Sequence, residues 1–155
     1  MPDLFKFNII IKEGLLLNGD KMNLRIATTD NAKIFDEEIQ QVVLPWESGE
    51  ITLYGKSIPT IVKLVPWIIQ ITTKWWEKQK YSISKGIALV DTSSIKVTVS
   101  MATERPLAKL VELRWTLNLL ELKLQKVRSF GSVEEISNLI WEVEKIKADI
   151  QLAQN

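Results

Sequence analysis

Neither cysteine nor histidine occurs in the 155 residues of this chain. Without thiols there is no disulfide framework and no thiolate nucleophile. Without imidazole the commonest general base at neutral pH is missing, and the loss of both removes the ligands of an ordinary zinc site. Ser-His-Asp and Cys-His machinery is excluded outright. The six glycines form no Walker loop, no GxGxxG turn and no nucleophile elbow. A dominant charge sign is absent too: 20 Lys and Arg stand against 19 Asp and Glu, and a net +1 gives no field that selects nucleic acid or an anionic membrane. No apolar run approaches the roughly 20 residues of a spanning helix. The first residues, with Asp3 and Glu13 around an interrupted apolar stretch, do not read as a secretory signal. The expectation is a protein without catalytic residues, metal or cofactor, whose function lies in its surfaces.

What is present is the composition of a folded globular chain, 46% apolar and 25% charged, long enough to bury a real core. Three parts are distinguishable. Residues 1–21 alternate at Phe5, Phe7, Ile9 and Ile11, the period of a half-buried strand, before Asn18-Gly19-Asp20 breaks the pattern; this extension is either an extra edge strand or a loose tail. Residues 22–102 carry short strand signals: Leu24-Arg25-Ile26, residues 39–44, residues 67–72, Tyr81-Ser82-Ile83, and the alternation Ile95, Val97, Val99. Turn chemistry separates them at Asp30-Asn31, Ser48-Gly49, Tyr54-Gly55 and residues 91–94. Many short strands so spaced argue for an antiparallel β-sandwich or barrel.

At Thr103 the period changes, and residues 103–155 read as helical. Leu110, Leu113, Leu117, Leu120, Leu124 and Val127 recur at helical spacing, as do Ile136, Leu139, Val143, Ile146, Ile150 and Ala153. Between them Gly131 is available for a left-handed cap, and Ser132 with Glu135 for a capping box. So short a connection makes an antiparallel two-helix hairpin, and the fold class is α+β. The first helix is basic, +3 over residues 104–128, and the second acidic, −3 over residues 132–155. The first also has a second apolar side, Ala108, Val111, Trp115, Leu119 and Leu122, which asks for a second neighbour: the sandwich, as permanent core, or another chain.

Two stretches invite a contact. Leu44-Pro45-Trp46-Glu47-Ser48-Gly49-Glu50 sets Glu50 at an exposed turn between paired strands. Lys74-Trp75-Trp76-Glu77-Lys78-Gln79-Lys80 interleaves aromatics with lysines, as single-stranded nucleic-acid platforms do, although in so nearly neutral a chain a hairpin tip with its tryptophans folded onto the sheet or a neighbour is the favoured account.

Residues 23–53 resemble the start of the epsilon subunit of F-type ATP synthases, through Asn23-Leu24-Arg25-Ile26-Ala27-Thr28, Phe35-Asp36, Glu38-Ile39, Val42-Val43-Leu44-Pro45 and Gly49-Glu50. Pro59, Gly86 and Val97-Thr98-Val99 continue the likeness, and the helical hairpin falls where that family has one. Lys56-Ser57-Ile58-Pro59 stands where the family usually has Gly-His-Ala-Pro, and its D-x-x-R-A nucleotide motif is absent, so no nucleotide is expected. The resemblance implies a rotor subunit of the central stalk, joining the gamma subunit to the ring of c subunits and regulating hydrolysis through its hairpin. It implies c-ring contacts at Trp46, Ser48, Gly49 and Glu50. Contacts to gamma or to the catalytic alpha/beta hexamer are implied at Arg105, Lys109, Arg114, Trp115, Leu119, Leu122, Lys123, Lys126 and Arg128. It further implies a membrane reached only through the complex, either the cytoplasmic side of a bacterial plasma membrane or a plastid thylakoid. A non-catalytic scaffold outside rotary machines, and a single-stranded nucleic-acid binder, are the alternatives.

Overall fold

The computed structural model describes residues 21–106 and 108–154. The strand expected at Phe5, Phe7, Ile9 and Ile11 lies outside the described residues. Among those described, nine strands come first: β1 (Met22–Thr28), β2 (Lys33–Trp46), β3 (Gly49–Leu53), β4 (Thr60–Leu64), β5 (Trp67–Thr73), β6 (Lys78–Ile83), β7 (Gly86–Val90), β8 (Ser94–Val99) and β9 (Ala102–Thr103). Two helices follow, α1 (Leu110–Val127) and α2 (Val133–Gln154).

Strict alternation makes β1 and β8 strands. Met22, Leu24 and Ile26, and likewise Ile95, Val97 and Val99, point into the core while Asn23, Arg25, Lys96 and Thr98 face out. The 14-residue β2 is the strand on which the sheet turns. Its first half pairs with β1; past a register shift between Ile39 and Gln41 it pairs with β5 and β3, and Trp46 meets Leu64 of β4. Such an irregularity lets one long strand bend from one layer into the other. The path β1-β8-β7-β4-β2 then closes because β2 also pairs with β1, and β5, β6 and β9 extend from β2. Inside lie Met22, Leu24, Ile26, Val42, Leu44, Ile69, Ile71, Ile83, Ile95, Val97 and Val99, all but sealed from solvent, with Phe35 edge-on to Tyr81 at 6.4 Å. Each such aliphatic side chain contributes about 2 kcal/mol through burial.

The sandwich matches expectation, with one difference: β1 and β8 are parallel, the other pairings antiparallel. Alternation fixes which face is buried and is silent on strand direction, and a parallel pair needs the long crossover that β2 to β7 provide.

The helical part begins later than the residues suggest. Thr103 pairs with Ser82 as part of β9, and α1 starts at Leu110. Arg105 and Lys109 therefore precede the helix rather than ride on it: Pro106 disfavours a helical conformation at Arg105, and Lys109 is the extended N-cap residue. The Ser132–Glu135 capping box forms in both directions, at 3.2 and 3.3 Å. Gly131 does not take a left-handed cap. Its role is a close approach, since an added Cβ would stand 2.1 Å from Val127 Cγ1.

Candidate interaction surfaces

Trp46 pairs with Gly49, so β2 and β3 are joined by the two-residue turn Glu47-Ser48. Gly49 has φ +128°, a conformation that side chains rarely adopt, which is why glycine closes this turn. Glu50 stands opposite Pro45, and Trp46, Glu47, Ser48, Gly49 and Glu50 are all exposed. The ladder on both sides holds the acid on a rigid edge. Glu47 also borders a groove of about 710 Å³ that runs past Lys63, Lys85, Ile87 and Thr98 to Trp141 of α2, where the Lys85 ammonium sits 5.4 Å from the indole centroid. On the turn before β2, the Thr28 hydroxyl and then Asp30's own backbone N–H hold the Asp30 carboxyl below the usual carboxylate range.

The second apolar side of α1 is not core. Leu113 and Leu124 are buried in the hairpin, whereas Val111 is 78%, Trp115 66%, Leu119 49% and Leu122 56% exposed. They run as a strip along the outside of α1. Arg105, Lys109, Arg114, Lys123, Lys126 and Arg128 are exposed as well, with Lys126 in the last turn, where a cation complements the helix dipole. The expectation that the sandwich covers this strip fails because α2 is the helix that packs on β5 and β6, with α1 stacked on α2.

That arrangement buries a polar cluster with no counterpart in the sequence reading. On the sheet side of α2, Lys145 and Asp149 form an ion pair at 2.6 Å, their side chains only 7% and 12% exposed. The Lys145 ammonium also donates to Ser82 Oγ at 3.2 Å and Thr103 Oγ1 at 3.3 Å, and the Ser82 hydroxyl donates to Asp149. All three ammonium protons thus have acceptors. The signal was available as a Lys and an Asp one helical turn apart, on the side of α2 away from its Leu139-Val143-Ile146 stripe.

The tryptophans between β5 and β6 are not folded onto the sheet: Trp75 is 73% and Trp76 60% exposed. Thr73 fixes the turn, its N–H donating to the Glu77 carbonyl at 2.9 Å, its carbonyl accepting from Trp76 N–H at 2.9 Å and its hydroxyl from Glu77 N–H at 3.2 Å. Trp76 has φ +65°. A bulky side chain there costs about 1 kcal/mol relative to the ordinary helical region, and glycine or asparagine is the usual occupant.

No helix among the described residues is long and apolar enough to cross a membrane. Residues 21–105 match the family model described as the β-sandwich domain of the ATP synthase delta/epsilon chain. The mitochondrial ATP synthase subunit delta of Pichia angusta is 28% identical over 91 residues, 59% of this chain and 56% of that protein. The ATP synthase epsilon chain of Rhizobium rhizogenes is 21% identical over 151 residues, 97% of this chain and 98% of that one. The chain spans about half the length of the mitochondrial relatives it matches. A chain in the cryo-EM structure of the Euglena gracilis mitochondrial ATP synthase shares the fold, with a TM-score of 0.71 at 18% identity, over 88% of this chain and 82% of that one.

Proposed function

The chain belongs to the ATP synthase delta/epsilon-chain family, and from that premise we propose that it is a non-catalytic subunit of the central stalk of an F-type ATP synthase. In this reading it joins the gamma subunit to the c-ring and reaches an energy-transducing membrane only through the complex. The family match across the whole sandwich carries the reading. Relatives in mitochondria and bacteria support both kinds of membrane, the mitochondrial one being outside what the residues alone suggested.

The geometry supports a division of labour. The two-residue turn presents Glu50, flanked by Trp46, Ser48 and Gly49, to polar loops of the ring, where a fixed carboxylate makes charge-assisted hydrogen bonds to basic residues. The strip Val111, Trp115, Leu119 and Leu122, with Arg114, Lys123 and Lys126 beside it, faces gamma or the catalytic alpha/beta hexamer. An apolar strip this exposed is a liability unless a partner covers it. Regulation of hydrolysis follows if the hairpin exchanges its seat on β5 and β6 for a seat on the hexamer, each covering apolar surface of the helices.

A tagged chain recovered from a mild membrane extract tests the reading. Gamma and c subunits are expected with it, and Glu50→Lys should lower the yield of c while leaving the isolated chain's unfolding temperature unchanged. Recovery without either subunit refutes the assignment. Truncation after Thr103 should raise ATP hydrolysis by the assembled complex, and unchanged hydrolysis refutes the regulatory part.

A further inference from the structure

We propose that the β5–β6 tip is a docking knob for an acidic polypeptide segment, received by Trp75 and Trp76 above and by a basic pocket at their foot. The pocket, about 270 Å³, is lined by Lys78, Gln79, Lys80, Glu104, Arg105 and Leu152. With Lys74, whose ammonium lies 5.2 Å from the Trp75 ring centroid, four cations gather against Glu77 and Glu104 in a chain whose net charge is only +1. The basic excess is therefore concentrated here as well as on α1.

The cations select an acidic segment, and three observations mark the tip as a displayed surface turned toward protein. The turn is held by hydrogen bonds through Thr73 and by the Gln40 side-chain amide donating to the Lys74 carbonyl at 3.3 Å, so both indoles are displayed at little ordering cost. Trp76 keeps a left-handed conformation that glycine or asparagine would adopt without strain, so its side chain is held against the preference of its own backbone. Finally, β5 pairs with β2 from Thr73 beside Ile39 to Gln70 beside Val43, which sets the tip at the opposite end of that ribbon from the Glu47-Ser48 turn. Resting on the stalk reading, in which that turn faces the membrane ring, the tip points away from the bilayer. In the pocket Lys78, Lys80 and Arg105 outnumber Glu104, which suits carboxylates that pair singly with each cation, whereas a chain of net charge +1 has no extended basic field for a phosphate backbone.

The test places a photo-crosslinking benzoylphenylalanine at Trp75 in the full chain within cells, and identifies the captured peptide by mass spectrometry. An Asp- and Glu-rich peptide of another subunit is expected; capture of lipid, nucleic acid, a second copy of this chain or nothing overturns the proposal. Trp76→Asn should raise the unfolding temperature of the isolated chain by about 3 °C, while the same substitution combined with Trp75→Ser speeds dissociation of the chain from the purified complex about tenfold. Dissociation within twofold of the unaltered chain also overturns it. An acidic peptide from an assembly lacking gamma and c subunits would sink the stalk reading and leave the knob standing.

Discussion

Replacing Asp149 by alanine probes how the helical hairpin is held. The carboxylate lies in the α2–sheet interface at 2.6 Å from the Lys145 ammonium. Its removal leaves a buried cation facing only the hydroxyls of Ser82 and Thr103, at 3.2 and 3.3 Å. Stripping one partner from a buried pair costs about 3 kcal/mol. Because Lys145 and Asp149 both sit on α2, the chain has a cheaper escape than global unfolding: the hairpin can lift, returning the ammonium to water while the sandwich stays folded. Hydrogen exchange over residues 141–152 should therefore accelerate roughly a hundredfold, the factor that corresponds to about 3 kcal/mol, while β1, β2 and β8 keep their protection. Asp149→Asn, which retains shape and one acceptor, should give a smaller effect. The double change Lys145→Met with Asp149→Leu should fall within about 1 kcal/mol of the parent, or be more stable, since a filled apolar contact replaces the desolvated pair. Equal loss of protection in the hairpin and the strands would refute the separability of the two parts. No acceleration at all would refute the importance of the pair.

Other perturbations address single features. Gly86→Ala would place a Cβ 2.2 Å from the Thr98 carbonyl oxygen and 2.6 Å from Val99 Cγ1, so β7 and β8 must part; a loss of about 3 kcal/mol, or about 9 °C in thermal melting, is expected. Trp115→Ser and Leu119→Ser, on the exposed strip, should change stability by less than about 0.5 kcal/mol yet reduce retention of the chain in the purified complex, and equal retention would remove that strip from the interface. Burial, and then Glu104 and Glu37, hold the Tyr81 hydroxyl above its ordinary value of 10.0. Stability is thus intact below pH 10 and falls as the pH rises further, because the unfolded chain releases a proton that the folded one retains. Tyr81→Phe should flatten that alkaline decline in a denaturant series.

Residues that alternate cleanly announced their strands: Ile95, Val97 and Val99 are buried where their spacing placed them, and the turn expected at Ser48-Gly49 falls one residue earlier, at Glu47-Ser48, with Gly49 opening β3. β4 and β7 were hidden because Ile61, Ile87 and Leu89 lie on the outer side of the sheet, which erases the polar half of the alternation in Thr60–Leu64 and Gly86–Val90. The hairpin was legible from two helical stripes, but not its seating. Sequence spacing reveals which residues share a face and not which partner that face finds, so the second apolar side of the first helix stayed open between the sandwich and another chain, and nothing marked the second helix as the one that seats on the sheet. The Lys145–Asp149 cluster escaped because charged residues at helical spacing ordinarily mark solvent, and only the packing of α2 on β5 and β6 buries them.

The inversion itself carries meaning. A hairpin selected only to complete a core would turn Trp115, Leu119 and Leu122 inward and leave Lys145 and Asp149 in water. Here the apolar strip faces out and the charged pair faces in. Burying a pair in place of packed hydrocarbon adds little net stability, so the α2–sheet seat is weak for its area. What it does supply is register, because Ser82 and Thr103 accept the ammonium in one position of the helix only. Lifting the hairpin breaks no ion pair, since both charges travel on α2, and forfeits chiefly three hydrogen bonds to the hydroxyls of Ser82 and Thr103 and the burial around Ala148. The strip on α1 needs no rearrangement to meet a partner. A hairpin attached through polar contacts on its inner helix and armed with apolar ones on its outer helix is suited to be held in place by another subunit, and to change seats when that subunit moves.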